Sequence, residues 1–247
     1  MPGGAASRTP LFIVCSPQQR VGRTLVARLL IDFFVMEDRP VAGFDFDAEP
    51  PSLADFLPGQ TAIAKITDIQ GQMALFDRLI MSDNVAKVVD LAPASLQQFF
   101  TVMGQIDFIN AARSRGIEPV ALFIATPDAI AQRVYAGLQK SLPELVLVPV
   151  YNEAVAEGQR ARKNFPLSHS AVSVPIQIPA LPAHFYRYLE TAPFSFAGFR
   201  GSPPQGIPLD AYVELLRWMR RVFVEFRELE LRLLLNDVRS SLKHGAD

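Results

Sequence analysis

The stretch "SPQQRVGRTLVARLL", residues 16–30, sets Gly22, Arg23 and Thr24 between an apolar run and an amphipathic segment. Those residue types suit anion chemistry. A chain that leaves a buried strand and turns tightly into a helix points several main-chain N–H groups at one place, and the helix dipole adds positive potential there. The Walker pattern G-x-x-x-x-G-K-[ST] supplements such a turn with a lysine for the terminal phosphates and a hydroxyl for Mg²⁺. Laid on this chain, its glycines fall on Pro17 and Gly22, its lysine on Arg23 and its hydroxyl on Thr24. Gly22 and Thr24 agree with the pattern. Pro17 brings no N–H, and Arg23 replaces a compact ammonium by a wide planar fork. Read alone, the stretch is equally an ordinary polar turn that binds nothing.

Carboxylates follow downstream. "VAGFDFDAEPPSLADFLPG" (41–59) carries Asp45 and Asp47 at the end of an apolar run, and "AKVVDLAPAS" (86–95) carries Asp90 at the end of another. Ligands of open α/β sheets bind at the carboxyl ends of the strands, so a carboxylate there can serve chemistry. Asp45 and Asp47 also read as turn formers ahead of "EPPS".

Together the three stretches resemble, in order and spacing, the phosphate loop, switch I and switch II of the ParA/MinD-type deviant Walker ATPases. Against that family's G-K-G-G-V-G-K-[ST], Val21, Gly22 and Thr24 match, whereas Pro17, Gln18, Gln19, Arg20 and Arg23 do not. The resemblance spans residues 10–95 and extends more loosely to 180. It implies ATP and Mg²⁺ as ligands, with Gln19, Arg20, Val21, Gly22, Arg23, Thr24 and Leu25 around the phosphates. It also implies Thr24, Asp47 and Asp90 near the metal, and Asp47 positioning the attacking water. Arg23 falls on the lysine that binds the β- and γ-phosphates. Gln18 falls on the lysine that reaches into a partner subunit, and Asn152 lies where such folds contact the adenine. Arg20 can restore a charge near the phosphates.

The expected function is therefore a ParA/MinD-like nucleotide-binding protein, slow as an ATPase or switching a homodimer with nucleotide. One alternative is a catalytically inactive relative that serves as a regulatory module for a protein partner. Another is a metabolic ATP-dependent ligase or small-molecule kinase on the same fold.

The elements that must position these residues follow from hydropathy. Near-continuous apolar runs at 11–15, 41–46, 86–91, 118–126, 145–151 and 172–178 read as strands covered on both faces. Between them, apolar residues recur at helical spacing over 22–37 and 95–115, the second ending at Gly116. This alternation predicts an α/β fold, a doubly wound and mostly parallel sheet with helices on both faces, of P-loop NTPase type. The division expected is a flexible leader over 1–10, the α/β domain over 11–195, and a Gly/Pro-rich linker with a long C-terminal helix over 196–247. That helix, 209–243, is expected to pack on the same domain through a seam from Tyr212 to Leu233.

Composition narrows the classes. With 24 basic and 25 acidic residues, the chain lacks the basic excess of a dedicated nucleic-acid binder. One cysteine, Cys15, excludes an internal disulfide, and His169, His184 and His244 lack metal-ligand spacing. No segment approaches the roughly 20 apolar residues of a membrane span, and the expected location is cytoplasmic.

Overall fold

The computed structural model describes residues 8–47, 50–155, 165 and 171–244. The first seven residues of the expected leader and His169 lie outside them. The order is β1 (Thr9–Cys15), α1 (Arg23–Met36), β2 (Val41–Asp45), α2 (Leu53–Phe56), β3 (Thr61–Ile63), α3 (Ile69–Leu79) and β4 (Ala86–Leu91). There follow α4 (Pro93–Gln105), α5 (Phe108–Ser114), β5 (Ile117–Ile124), α6 (Ala129–Ser141), β6 (Val146–Asn152) and β7 (Ile176–Ile178). The chain ends in α7 (Tyr186–Leu189), α8 (Phe196–Gly201) and α9 (Leu209–His244).

Among the described residues the strands form one seven-stranded sheet in the order β3-β2-β4-β1-β5-β6-β7, and every pairing is parallel. The expected α/β architecture is present. Strand β1 lies between β4 and β5, so the chain leaves β1 towards one edge and later builds towards the other. Such a reversal opens a crevice at the carboxyl ends of the strands.

Period-two alternation explains why the strands read as unbroken apolar runs. In β1, Phe12 and Val14 join one core, while Leu11, Ile13 and Cys15 join the other. In β5, Val120, Leu122 and Ile124 face the first core, and Ala121 and Phe123 the second. Helices α1 and α9 close the first. Phe33 of α1 meets Phe223 and Phe226 of α9 edge-on, with ring centroids 5.4 and 5.8 Å away. Residues of α3, α4, α5 and α6 close the second core.

Three elements differ from the sequence reading. The helix expected over 95–115 breaks where Asp107 adopts a left-handed φ of 50°, giving α4 and α5. Ile106, counted in the apolar stripe, is exposed at that corner. The strand expected over 172–178 pairs only at Ile176–Ile178; Ala171–Ser173 form a 3₁₀ turn, and Pro175 follows without a donor for a ladder. Strand β3, three residues long at the sheet edge, gave no apolar run to find. Among the described residues no helix is long and apolar enough to cross a membrane.

Candidate functional site

The turn from β1 into α1 is built by its own polar atoms. Ser16 Oγ accepts from the Gln18 main chain at 3.1 Å. Arg20 and Gly22 then take positive φ values of 58° and 90°, with Val21 between them outside that region. Alternation of this kind turns successive N–H groups to one side, the concave arrangement that cradles anions. Among the described residues, no hydrogen-bond acceptor meets the main-chain N–H of any residue from Gln19 to Leu25. All of these residues but Val21, the last three in the first turn of a 14-residue helix, line an open cleft of about 590 Å³.

Across the cleft stand Phe46, Asp47, Pro50 and Pro51 on one side and Ala92 to Ser95 on the other. Pro93 opens α4 at its first turn, where its missing N–H costs no helical hydrogen bond. The amino ends of α1 and α4 thus both face the cleft, and both dipoles favour negative charge there.

Asp45, wholly buried, shapes the β2 side. Its two carboxylate oxygens accept from the Asp47 N–H at 2.9 Å and from the Ala54 N–H at 2.8 Å. It holds the loop that presents Asp47. The turn-forming reading of Asp45 describes this role, while Asp47 faces the cleft.

Arg23 takes a course its sequence position does not suggest. Its side chain turns aside from the N–H cradle and joins two carboxylates. Nε donates to Asp90 Oδ1, and Nη2 donates to Asp47 Oδ2 at 2.6 Å. The Thr24 hydroxyl donates to the second Asp90 oxygen at 2.7 Å. Burial opposes the charge on Arg23, but Asp90 and Asp47 outweigh it and hold its pKa above the ordinary arginine value. Burial pushes Asp90 upward, with Arg23 and Thr24 pulling the other way. Sequence spacing could not foresee this cluster, because it joins residues 67 and 24 positions apart.

Thr24, Asp47 and Asp90 are therefore close together, gathered around a guanidinium. Their hard oxygens are the right chemical type for Mg²⁺. As arranged they do not fit it, since each is engaged with Arg23 or with its partner carboxylate.

Asn152 lies behind the turn. Its side-chain amide donates to the Val21 carbonyl at 3.0 Å, its oxygen accepts from Ala154 N–H at 3.1 Å, and it is only 3% exposed. Gln18 lies close to Asp128, the N-cap of α6, and helps hold that carboxyl below the usual range. Neither contact has a signal in the sequence.

No family model matches this chain, and no curated protein matches it. Among solved structures, a nucleotide-binding protein from Archaeoglobus fulgidus in complex with ADP is similar to it at 17% identity. The alignment covers 74% of this chain and 85% of that one, with a TM-score of 0.44, an overlap too slight to carry an inference.

Proposed function

We propose that this protein binds a nucleotide through its phosphates, at the turn between β1 and α1. The observation that carries the reading is the row of main-chain N–H groups from Gln19 to Leu25, which meet no acceptor among the described residues and belong, Val21 apart, to residues that line the cleft. Gln19 and Arg20 are exposed, but Val21 and Arg23 are buried and Gly22, Thr24 and Leu25 half-buried; amides without acceptors there are costly, and an anion is their natural complement. ATP is the nucleotide that the ParA/MinD likeness names, and Arg20, exposed beside the cleft, is the charge best placed for its phosphates. A homodimer that changes with nucleotide is the corresponding larger assembly.

Isothermal titration of the full chain with ATP, ADP and pyrophosphate tests this. Binding below millimolar concentration, retained by pyrophosphate, is the expected result; no heat of binding at millimolar nucleotide overturns it.

A second reading concerns turnover. Asp47, the residue expected to position water, is paired with Arg23, the residue expected to serve the phosphates. That pairing withdraws both from catalysis and favours a binding module that does not hydrolyse its ligand. Phosphate release no faster than in Asp47→Ala supports the module, and release at least tenfold faster restores the slow ATPase.

A further inference from the structure

The donor set that a divalent ion would need is already committed. Asp47, Asp90 and Thr24 come from the loop after β2, the end of β4 and the start of α1, and Arg23 is the cation on which they converge. Arg23 is 7% exposed, and its planar fork presents two separate nitrogens, Nε to Asp90 and Nη2 to Asp47, where an ammonium would offer a single point of charge. Mg²⁺ demands near-octahedral oxygen ligation and sheds its water reluctantly. To enter here it would have to separate Arg23 from a wholly buried carboxylate and then stand beside the displaced positive charge. Among the described residues, no group of three or more His, Cys, Asp or Glu could hold a metal ion.

We propose that Arg23 is the resident cation of this site, joining the β2 loop to β4 where a divalent ion would otherwise do so. The turn then takes the phosphates of a nucleotide without a metal. The inference rests on the nucleotide reading above and deepens it. Phosphate charge meets the main-chain N–H groups and the exposed Arg20, while Arg23 stays with Asp47 and Asp90. The ordered position of Asp47 then depends on no ligand, so the cleft keeps its shape before nucleotide arrives.

Titration of the full chain with ATP in excess EDTA and again in millimolar Mg²⁺ provides the test, with equilibrium dialysis of Mn²⁺ alongside. The two dissociation constants are expected to agree within about threefold, with no Mn²⁺ retained by the nucleotide complex. Affinity that drops about tenfold or more in EDTA, or Mn²⁺ retained one to one, overturns the proposal. Binding in neither condition overturns the nucleotide reading and this inference with it, so the two failures are distinguishable. Arg23→Lys supplies a second arm. Lysine replaces the two separated donors Nε and Nη2 by a single ammonium, which bridges the two carboxylates less well, so this variant is expected to bind ATP about tenfold more tightly with Mg²⁺ than without. Equal binding by Arg23→Lys in both conditions counts against Arg23 as the metal's substitute. Should that variant fail to fold, the comparison on the unaltered chain decides.

Discussion

Asn152 at the end of β6 donates its side-chain amide to the carbonyl of Val21, 131 residues earlier in the chain, at 3.0 Å. This one contact ties the anion-facing turn to the body of the sheet. It turns the Val21 carbonyl backward, which leaves the neighbouring N–H groups pointing forward. It also explains the glycine that follows. A Cβ on Gly22 would stand 2.3 Å from Asn152 Nδ2, at a φ of 90° that side chains other than glycine rarely adopt.

Gly22→Ala is accordingly expected to destabilise the fold by about 1–3 kcal/mol, through backbone strain and the displaced amide. Nucleotide affinity should drop by at least about tenfold, because the donors lose their common direction. Asn152→Ala leaves the Val21 carbonyl without its side-chain donor and should cost about 1–3 kcal/mol. Urea unfolding measures both costs. Wild-type affinity in Gly22→Ala would separate the turn from the binding site.

What could be read from the sequence follows from the range of each interaction. Strands β1 and β5 were legible because alternate residues feed two apolar cores, which leaves an unbroken run in the sequence. The seam of α9 was legible because helical spacing repeats locally from Leu215 to Leu233. The break at Asp107 was not, since one left-handed residue interrupts a periodicity that itself continues. The residues of the candidate site could be named because they stand at strand ends, yet their partners could not. Whether Arg23 points forward to a ligand or sideways to Asp90 depends on β1 and β4 being neighbours, and no local pattern records that adjacency.

Asp45 offers a sharper test of how the β2 loop is held. Both of its oxygens accept main-chain N–H groups, from Asp47 and Ala54, and the side chain is wholly buried. Asparagine keeps one acceptor and turns an NH₂ group against the other donor. Asp45→Asn is expected to lose about 1–3 kcal/mol. Hydrogen exchange at the Asp47 and Ala54 amides should accelerate more than exchange in β1. Unchanged protection at those two amides would remove Asp45 from its role as the loop's anchor.

Two buried charged side chains, Arg28 and Asp32, fasten the segment before α9. Asp32 accepts the Ser195 hydroxyl and the Phe196 N–H, each at 2.6 Å, while Arg28 donates to the Leu189 carbonyl at 2.8 Å. Burial brings the Arg28 pKa down to about 10, with Asp32 countering that loss. The guanidinium also lies 3.7 Å from the centre of the Phe56 ring. Asp32→Ala removes two hydrogen bonds to a carboxylate and the nearby negative charge that offsets the burial of Arg28. The expected loss is about 3–5 kcal/mol, chiefly from the two charge-assisted hydrogen bonds. Limited proteolysis should then cut between Leu189 and Leu209 at lower protease concentration. Replacing both residues, as Arg28→Met with Asp32→Asn, should cost less than the two single losses added together.

Cys15 gives a pH dependence with a definite sign. Its thiol is wholly buried at the end of β1, and burial pushes its pKa up from the ordinary thiol range to about 12, the nearby Arg23 opposing only part of that rise. The folded state therefore holds this proton more tightly than the unfolded state does. The resulting stability is complete below about pH 9 and is lost as the pH rises towards about 12. Within that window, ionisation of one such group costs about 1.4 kcal/mol per pH unit. Urea unfolding at pH 8 and pH 10 should show a larger loss in the native chain than in Cys15→Ala, which lacks the titrating group. The difference between the two chains isolates Cys15 from the lysines and tyrosines that titrate in both. The same protonation and burial predict that iodoacetamide leaves the folded thiol unmodified at pH 8 and alkylates it once urea unfolds the chain. Rapid alkylation of the folded protein would mean that the end of β1 opens to solvent, and the turn it supports could not then hold its N–H groups in register.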